Sequence, residues 1–237
     1  METLSKNKIK WIRSLRLKKN RIVEKLFIVE GEKMVNELIQ YWPDNIACIC
    51  TTSKNLDYEG ETYFTDERSM ATMSSMSTPQ KYLAVAHMPE LKSKRNDFIL
   101  VLDGIQDPGN MGTIIRTADW FKIDRIICSK QTVDIFNSKV VQSSMGSIFR
   151  IPVTYEDLKK KLQNTDLPVY GAILNGKSIY DQSISKKGII VIGNEGNGIS
   201  NEILDLIHHP ISIPRFGQAE SLNASVATGI ILSEFSK

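Results

Sequence analysis

The chain reads as an α/β protein built in two parts, the second carrying a parallel sheet, on three observations. Short β and α patterns alternate through residues 1–90. From residue 98 onward the strand candidates lengthen into continuously apolar runs, as a parallel sheet covered on both faces requires. Three glycine- and asparagine-rich turns ride on those later runs, around 107–116, 193–200 and 213–227. Turns at the carboxyl ends of buried strands gather at one sheet edge, where ligands of open α/β folds sit, so the three together predict one composite site. A length of 237 residues accommodates one α/β domain with a smaller companion.

The elements follow in order. Ile9, Ile12 and Leu15 recur at helical spacing and Trp11 shares a face with Leu15, so residues 5–19 predict one amphipathic basic helix. Residues 26–30 read as a buried strand, and Gly31 hands over to a helix at 32–41 that Pro43 ends. Strands at 46–51, 62–65 and 83–86 flank a helix at 67–76, whose Met70, Met73 and Met76 read as core filler. The stretch 89–97 is polar and charged, a candidate linker that gives domains of 1–90 and 97–237. Beyond it, strands are predicted at 98–102, 125–128, 169–174, 188–192 and 211–213, with helices at 111–120, 137–144, 155–163, 201–207 and 222–235.

A net charge of only +3 gives no global argument for a polyanionic partner, but its distribution is uneven. Lys6, Lys8, Lys10, Arg13, Arg16, Lys18, Lys19, Arg21 and Lys25 face a single acid, Glu24. Such a stretch can displace counterions from phosphates, or can be a solvated helix face. The start has no apolar core of the secretory kind and no run is long enough for a membrane span, so a soluble cytoplasmic protein is expected. Cys48, Cys50 and Cys128 lack metal-ligand spacing and read as reduced packing residues, with no metal site expected.

Gly171-Ala-Ile-Leu-Asn-Gly-Lys-Ser178 is a literal phosphate-loop match. Yet its first glycine lies inside an apolar strand and no helix follows Lys177, so it reads as a decoy. The Gly193 turn follows neither the dinucleotide nor the phosphate-loop order. A tight strand-to-helix turn, with Asn197 and Gly198 at positive φ and Ser200 as cap, explains its glycines but leaves Glu195 without a reason at the apex. Asn110 could be a helix cap, whereas Arg116, about one and two-thirds turns further along, requires an anionic partner from protein or substrate. Ser221 could cap the last helix, leaving Asn223 unassigned.

Asn110-x-Gly112-x-x-x-Arg116, Gly193-Asn-Glu195-Gly-x-Gly198-Ile-Ser, and Ile213-Pro214 leading to Ser221-Leu-Asn223-x-Ser225-Val-Ala resemble, in order, the three motifs of the SpoU (TrmH-type) branch of the SPOUT methyltransferases. Residues 27–33 and 78–80 are similar to the small L30e-like RNA-binding domain that often precedes that catalytic domain. The resemblance implies a trefoil-knotted parallel-sheet domain that works as a homodimer. It implies methylation of a ribose 2′-hydroxyl in ribosomal or transfer RNA with S-adenosyl-L-methionine.

On that resemblance, Arg116 is the central catalytic residue, as a phosphate clamp and oxyanion stabiliser or as a phosphate-assisted base, with Asn110, Glu195, Ser221 and Asn223 completing the catalytic set. Leu174, Asn175, Gly176, Ile192, Gly193, Asn194, Gly196, Ile213, Leu222 and Asn223 form the expected cofactor site, through backbone groups and an apolar bed. Lys10, Arg13, Arg16, Lys18, Lys19, Arg116 and Lys139 are the expected RNA contacts. Arg215-Phe216 departs from the family, whose members often carry an apolar residue there. A non-catalytic RNA-binding factor of the same fold and a phosphate-loop nucleotide-binding protein are the competing readings.

Overall fold

A computed structural model describes residues 2–53, 56–89, 96–181 and 187–237. Residues 90–95 of the expected linker lie outside the described residues. Two compact units are present, Met1–Glu90 with Phe136–Arg150, and Leu91–Ile135 with Ile151–Lys237.

The first unit runs β1 (Glu2–Thr3), α1 (Lys6–Ser14), α2 (Lys18–Glu24), β2 (Leu26–Glu30), α3 (Glu32–Tyr41), β3 (Ile46–Thr51), β4 (Thr62–Phe64), α4 (Glu67–Met73) and β5 (Tyr82–His87). Its sheet has the order β1-β4-β3-β5-β2, with β5 antiparallel to both its neighbours. Ile12, Leu15, Ile28, Cys48, Cys50, Met70, Met73 and Val85 share one core cluster. Two of the three methionines are thus core filler as expected, while Met76 stays half-buried.

The single helix expected over 5–19 breaks in two. Carbonyls at and just past the end of α1 take side-chain donors from downstream: Asn20 Nδ2 donates to the Ser14 carbonyl at 2.8 Å, beside the Leu17 N–H at 3.1 Å, and Arg21 Nη1 donates to those of Leu15 and Arg16 at 3.0 and 2.8 Å. Arg16, expected on RNA, is engaged elsewhere as well. Its Nε and Nη2 donate to the carbonyls of Met73 and Thr72, both at 3.2 Å, so it fastens the end of α4 and is withdrawn from the RNA-facing set.

The second half of the chain supplies β6 (Phe98–Asp103), α5 (Pro108–Trp120), β7 (Arg125–Cys128), α6 (Ser138–Ser144), β8 (Val153–Tyr155), α7 (Leu158–Gln163), β9 (Val169–Ser178), β10 (Gly188–Gly193), α8 (Asn201–Leu204), β11 (His209–Ser212) and α9 (Ala224–Phe235). Helix α6 belongs to the segment that clusters with the first unit. There Phe136 packs on Phe27 with ring centres 4.6 Å apart, and Phe149 meets Trp42 edge-on at 4.9 Å.

The second unit's sheet has the order β11-β9-β10-β6-β7-β8 and every pairing in it is parallel. Its central strands are apolar on both faces, with Leu100, Val101, Ile189, Ile190 and Val191 fully buried. Burial pushes the Cys128 thiol up and away from ionisation, consistent with a packing role. Strand β8 was not anticipated, and it takes Tyr155 from the start of the helix expected over 155–163. Asp157 caps that helix instead, accepting from the Lys160 N–H at 3.0 Å.

Strand β9 outruns its expected end at 174, because its second half pairs with β11 after a register shift between Pro210 and Ile211. The whole phosphate-loop match therefore lies within a strand, which removes the cradle and the helix that a nucleotide phosphate would need. Gly176 sits there because a Cβ would press into the backbone of Ile211. Gly193 is constrained in the same way by the returning backbone of Gly198 and Ile199. Among the described residues no helix is long and apolar enough to cross a membrane.

Alanine at Gly176 or Gly193 is expected to destabilise the chain by about 1–3 kcal/mol, the usual cost of overpacking. At Gly217, where an added Cβ meets nothing within 4 Å, it should stay within about 0.5 kcal/mol. Urea unfolding midpoints at constant m-value make the comparison.

Candidate active site

Because every strand of the second sheet runs the same way, the turns after β6, β10 and β11 open at one edge. What joins them is a chain of side-chain amides. Asp107 takes the cap of α5, its carboxylate accepting from the Asn110 N–H at 2.8 Å, and Pro108 occupies the first turn, where its missing donor costs nothing. Asn110 is therefore not the cap, and its side chain is free to reach across. Its Nδ2 donates to Glu195 Oε1 at 2.9 Å, and its Oδ1 accepts from Asn223 Nδ2 at 2.8 Å.

The chemistry of the partners fixes both amide orientations. A carboxylate only accepts, so Asn110 must present nitrogen to Glu195 and oxygen to Asn223. Asn223 caps α9, its Oδ1 accepting from the Ser225 N–H at 2.9 Å and the Ser225 hydroxyl at 2.6 Å, which leaves its nitrogen for Asn110. Capping at this end belongs to Asn223 and not to Ser221, which is exposed and makes no hydrogen bond to a described residue. Glu195, unexplained as part of a tight turn, is the acceptor that ends the relay.

Asn194 staples the same turn, a role the sequence reading missed. Its Nδ2 donates to the Gly104 carbonyl at 2.7 Å, while its Oδ1 accepts from the N–H groups of Gly196 and Asn197 at 2.9 and 3.0 Å. Gly198 carries the positive φ of the turn, at 69°, and Asn197 does not. Ser200 stands at the start of α8 without a side-chain cap, its N–H donating to Asp103 Oδ2 at 2.9 Å. The Gly196 N–H is thereby satisfied inside the turn, so a ligand there meets the bare face of the glycine. The glycine following β6, with φ 78° at Gly104, was the available signal for this junction.

Arg116 stands exposed on α5 and makes no hydrogen bond or ion pair to a described residue. Ile114 and Ile115 beside it are fully buried, whereas Trp120 on the same helix is 84% exposed. Of the expected cofactor bed, Ile192 is buried, Gly193, Gly176 and Ile213 are half-buried, and Asn175, Leu174 and Leu222 are exposed. The Gly176 carbonyl accepts from Ser212 Oγ at 2.8 Å. Uncovered leucines, close-approach glycines and anchored turns at one strand edge suit a flat heterocycle with a polar tail better than a metal or a phosphate chain. Lys10, Arg13, Lys18 and Lys19 are exposed on the first unit, and Lys139 is exposed on α6.

Comparison with known families places this parallel-sheet fold among the RNA methylases. Residues 97–233 match the SpoU rRNA methylase family and residues 6–84 the MRM3-like substrate binding domain. The chain belongs to the SpoU rRNA methylase family. It is 34% identical over 241 residues, 98% of this chain and 97% of the relative, to the Bacillus subtilis 23S rRNA (guanosine(2553)-2′-O)-methyltransferase RlmP. Among solved structures, a TrmH-family chain from Porphyromonas gingivalis superposes with a TM-score of 0.89 at 37% identity, covering 98% of each chain. An AdoMet-bound rRNA methyltransferase from Sinorhizobium meliloti superposes at 0.84 with 27% identity, covering 99% of this chain and 96% of that one.

Replacing Asn110 by Asp sets a second carboxylate against Glu195 and removes a donor. The expected outcome is faster amide exchange at 194–198 and at the first turn of α9, with a stability loss of about 1–2 kcal/mol. Hydrogen exchange resolved by residue would show unchanged protection if the amide relay held nothing together.

Proposed function

We propose that the amide-linked edge binds S-adenosyl-L-methionine and the acceptor ribose side by side, with Arg116 turned to the RNA. The chain is an S-adenosylmethionine-dependent 2′-O-methyltransferase of RNA. Ribosomal RNA is preferred to transfer RNA, by analogy with the Bacillus relative. The observation that carries the assignment of roles is the Glu195–Asn110–Asn223 relay, with an exposed arginine on the same helix as Asn110 that has no partner among the described residues.

The bound cofactor supplies an electrophilic methyl group for in-line displacement by the ribose 2′-oxygen. The residues of this chain then have three tasks. Leu174, Ile213 and Leu222 offer apolar surface for the adenine, and the open face of Gly196 lets the ligand reach the backbone, while Gly176 and Gly193, closed by the chain's own backbone, keep the strand ends together beside it, with Asn175 and Asn194 at the rim. The relay fixes the distances between the turns, so the reacting atoms are held rather than gathered at each turnover. Arg116 holds a phosphate next to the target ribose in its planar fork and stabilises the charge that develops on the 2′-oxygen as its proton passes to that phosphate or to solvent water, the methyl group joining the oxygen and the sulfonium leaving as a neutral thioether. A guanidinium does not give up its own proton near neutrality, which favours the clamp over the base. Ser221 and Asn223 shape the acceptor side.

The threaded carboxyl-terminal topology and the homodimer that the resemblance implies belong to this proposal. So does a cytoplasmic location, where ribosomal RNA would be met. Trp120 at 84% exposure, Leu222 at 48% and Val226 at 50% leave apolar surface on α5, α9 and the turn before it, which supports self-association through these elements.

Arg116→Ala is expected to lower transfer from labelled cofactor into rRNA by about 10²–10³-fold in kcat while cofactor affinity by calorimetry is kept. Arg116→Lys should recover only part of it, since a point charge replaces a bidentate fork. Equal incorporation by wild type and Arg116→Ala would remove the arginine from the mechanism. Trp120→Glu should convert the dimer to monomer in a sizing measurement, and a wild type already monomeric would end the dimer proposal.

A further inference from the structure

The reacting ribose is the same in every nucleotide, so the choice of nucleotide has to be read from a base or from the shape of the RNA. The loop at 213–223 lies where a base could be read. It leaves β11 at Ile213, on the expected cofactor side, and reaches α9 through Ser221 and Asn223 on the acceptor side. Both of its ends are fixed. Ser212 Oγ donates to the Gly176 carbonyl at 2.8 Å, and Asn223 donates to Asn110 at 2.8 Å while capping α9. Between these anchors every residue from Arg215 to Leu222 is exposed, and Arg215 Nη1 reaches the Ala219 carbonyl at 3.5 Å across the tip.

Phe216 stands at that tip, 96% exposed, the most exposed large apolar side chain among the described residues. It belongs to none of the aromatic ring pairs found among them. Its flanks, Arg215, Gly217 and Gln218, are polar or bare, and a Cβ added at Gly217 would meet nothing within 4 Å. A second copy of the chain would need a contiguous apolar cluster here, of the kind that fills the roughly 800 Å² per partner of a stable interface. One ring with polar flanks does not supply it. The loop's charges cancel as well, Arg215 against Glu220, so net charge draws no polyanion to it. What the loop offers is a flat aromatic face on an anchored base. An unpaired nucleobase is flat with polar edges, and an aromatic side chain is an ordinary stacking platform for it.

We propose that Phe216 is a base-recognition residue: its ring stacks on the unpaired base of the acceptor nucleotide and so sets which ribose meets the amide-linked edge. The inference rests on the RNA reading above and deepens it. Arg116 takes the phosphate beside the acceptor and Phe216 takes its base, and two points of attachment orient the sugar between them where one would leave it free to turn.

The test is methyl transfer by the full chain into deproteinised large-subunit rRNA over a series of potassium chloride concentrations, with RNA binding and molecular mass measured alongside. Phe216→Ala is expected to raise KM for rRNA by about 10–100-fold, as the loss of one stacked base would. The factor should be the same at every salt concentration, because no charge is removed. KM for the cofactor, the molecular mass and the thermal midpoint should be kept. Phe216→Tyr, which retains the ring, should hold KM for rRNA within about threefold. Phe216→Trp adds a fluorescent ring at the same place, and its emission above that of wild type should be quenched when rRNA is added. An unchanged KM for rRNA in Phe216→Ala overturns the proposal, as does an unquenched emission in Phe216→Trp. So does a raised KM for the cofactor, which would make the ring part of the cofactor site, or a shift of mass to monomer, which would make its partner a second copy. Wild type that binds rRNA without methylating it would defeat the catalytic reading alone, and the dissociation constants and emission of the same variants then decide the stacking; wild type that does not bind rRNA overturns both.

Discussion

One carboxamide holds the site together. Asn110 both gives and receives a hydrogen bond, to Glu195 and from Asn223, and thereby joins three turns that leave three different strands. A side chain with only donors or only acceptors could not stand in that place, because one neighbour is a carboxylate and the other an amide whose oxygen is committed to a helix end. The arrangement depends in turn on Asp107, which caps α5 and so releases Asn110 from a task its position would otherwise give it.

The sheet supplies the stage for that relay. All-parallel pairing puts the strand ends that matter at one edge, and the glycines at 176 and 193 allow β11 and the turn after β10 to lie closer than any side chain would permit. Helix α9 returns from the relay into the core, where Phe235 stacks on Phe98 with ring centres 6.0 Å apart and meets Tyr170 edge-on at 4.9 Å. The edge that carries the candidate site is therefore anchored at one end by polar directionality and at the other by aromatic packing. Such an edge can meet a substrate without first having to order itself.

In the first unit cationic side chains divide into two kinds that look alike in sequence. Arg16 and Arg21 are spent on main-chain carbonyls, and Lys8 lies between the rings of Trp11 and Tyr63 while pairing with Glu61 at 3.2 Å. Lys10, Arg13, Lys18 and Lys19 are exposed. Which cation is structural is decided by which carbonyls and rings happen to face it, and charge counting along the chain carries no such information.

The α/β class, the parallel second sheet, most strand positions and the failure of the phosphate-loop match were legible in the sequence, because continuous apolar runs and the placing of glycine are local properties. The three ordered motifs also carried the family. The broken first helix, the long β9, the unanticipated β8 and the identity of the caps were not legible. The strands are settled by partners distant in sequence, Ile211 for Gly176 and Pro152 for Ile126 at the start of β7, and the use of Asn110 by residues 85 and 113 positions away, whereas the broken helix and the caps turn on which of several nearby polar side chains takes each main-chain group. Sequence by itself determined which residue types were available at the sheet edge. Only tertiary structure decided that one amide would bind the other two turns, because hydrogen bonds are directional and short, and nothing local says which donor will arrive within 3 Å.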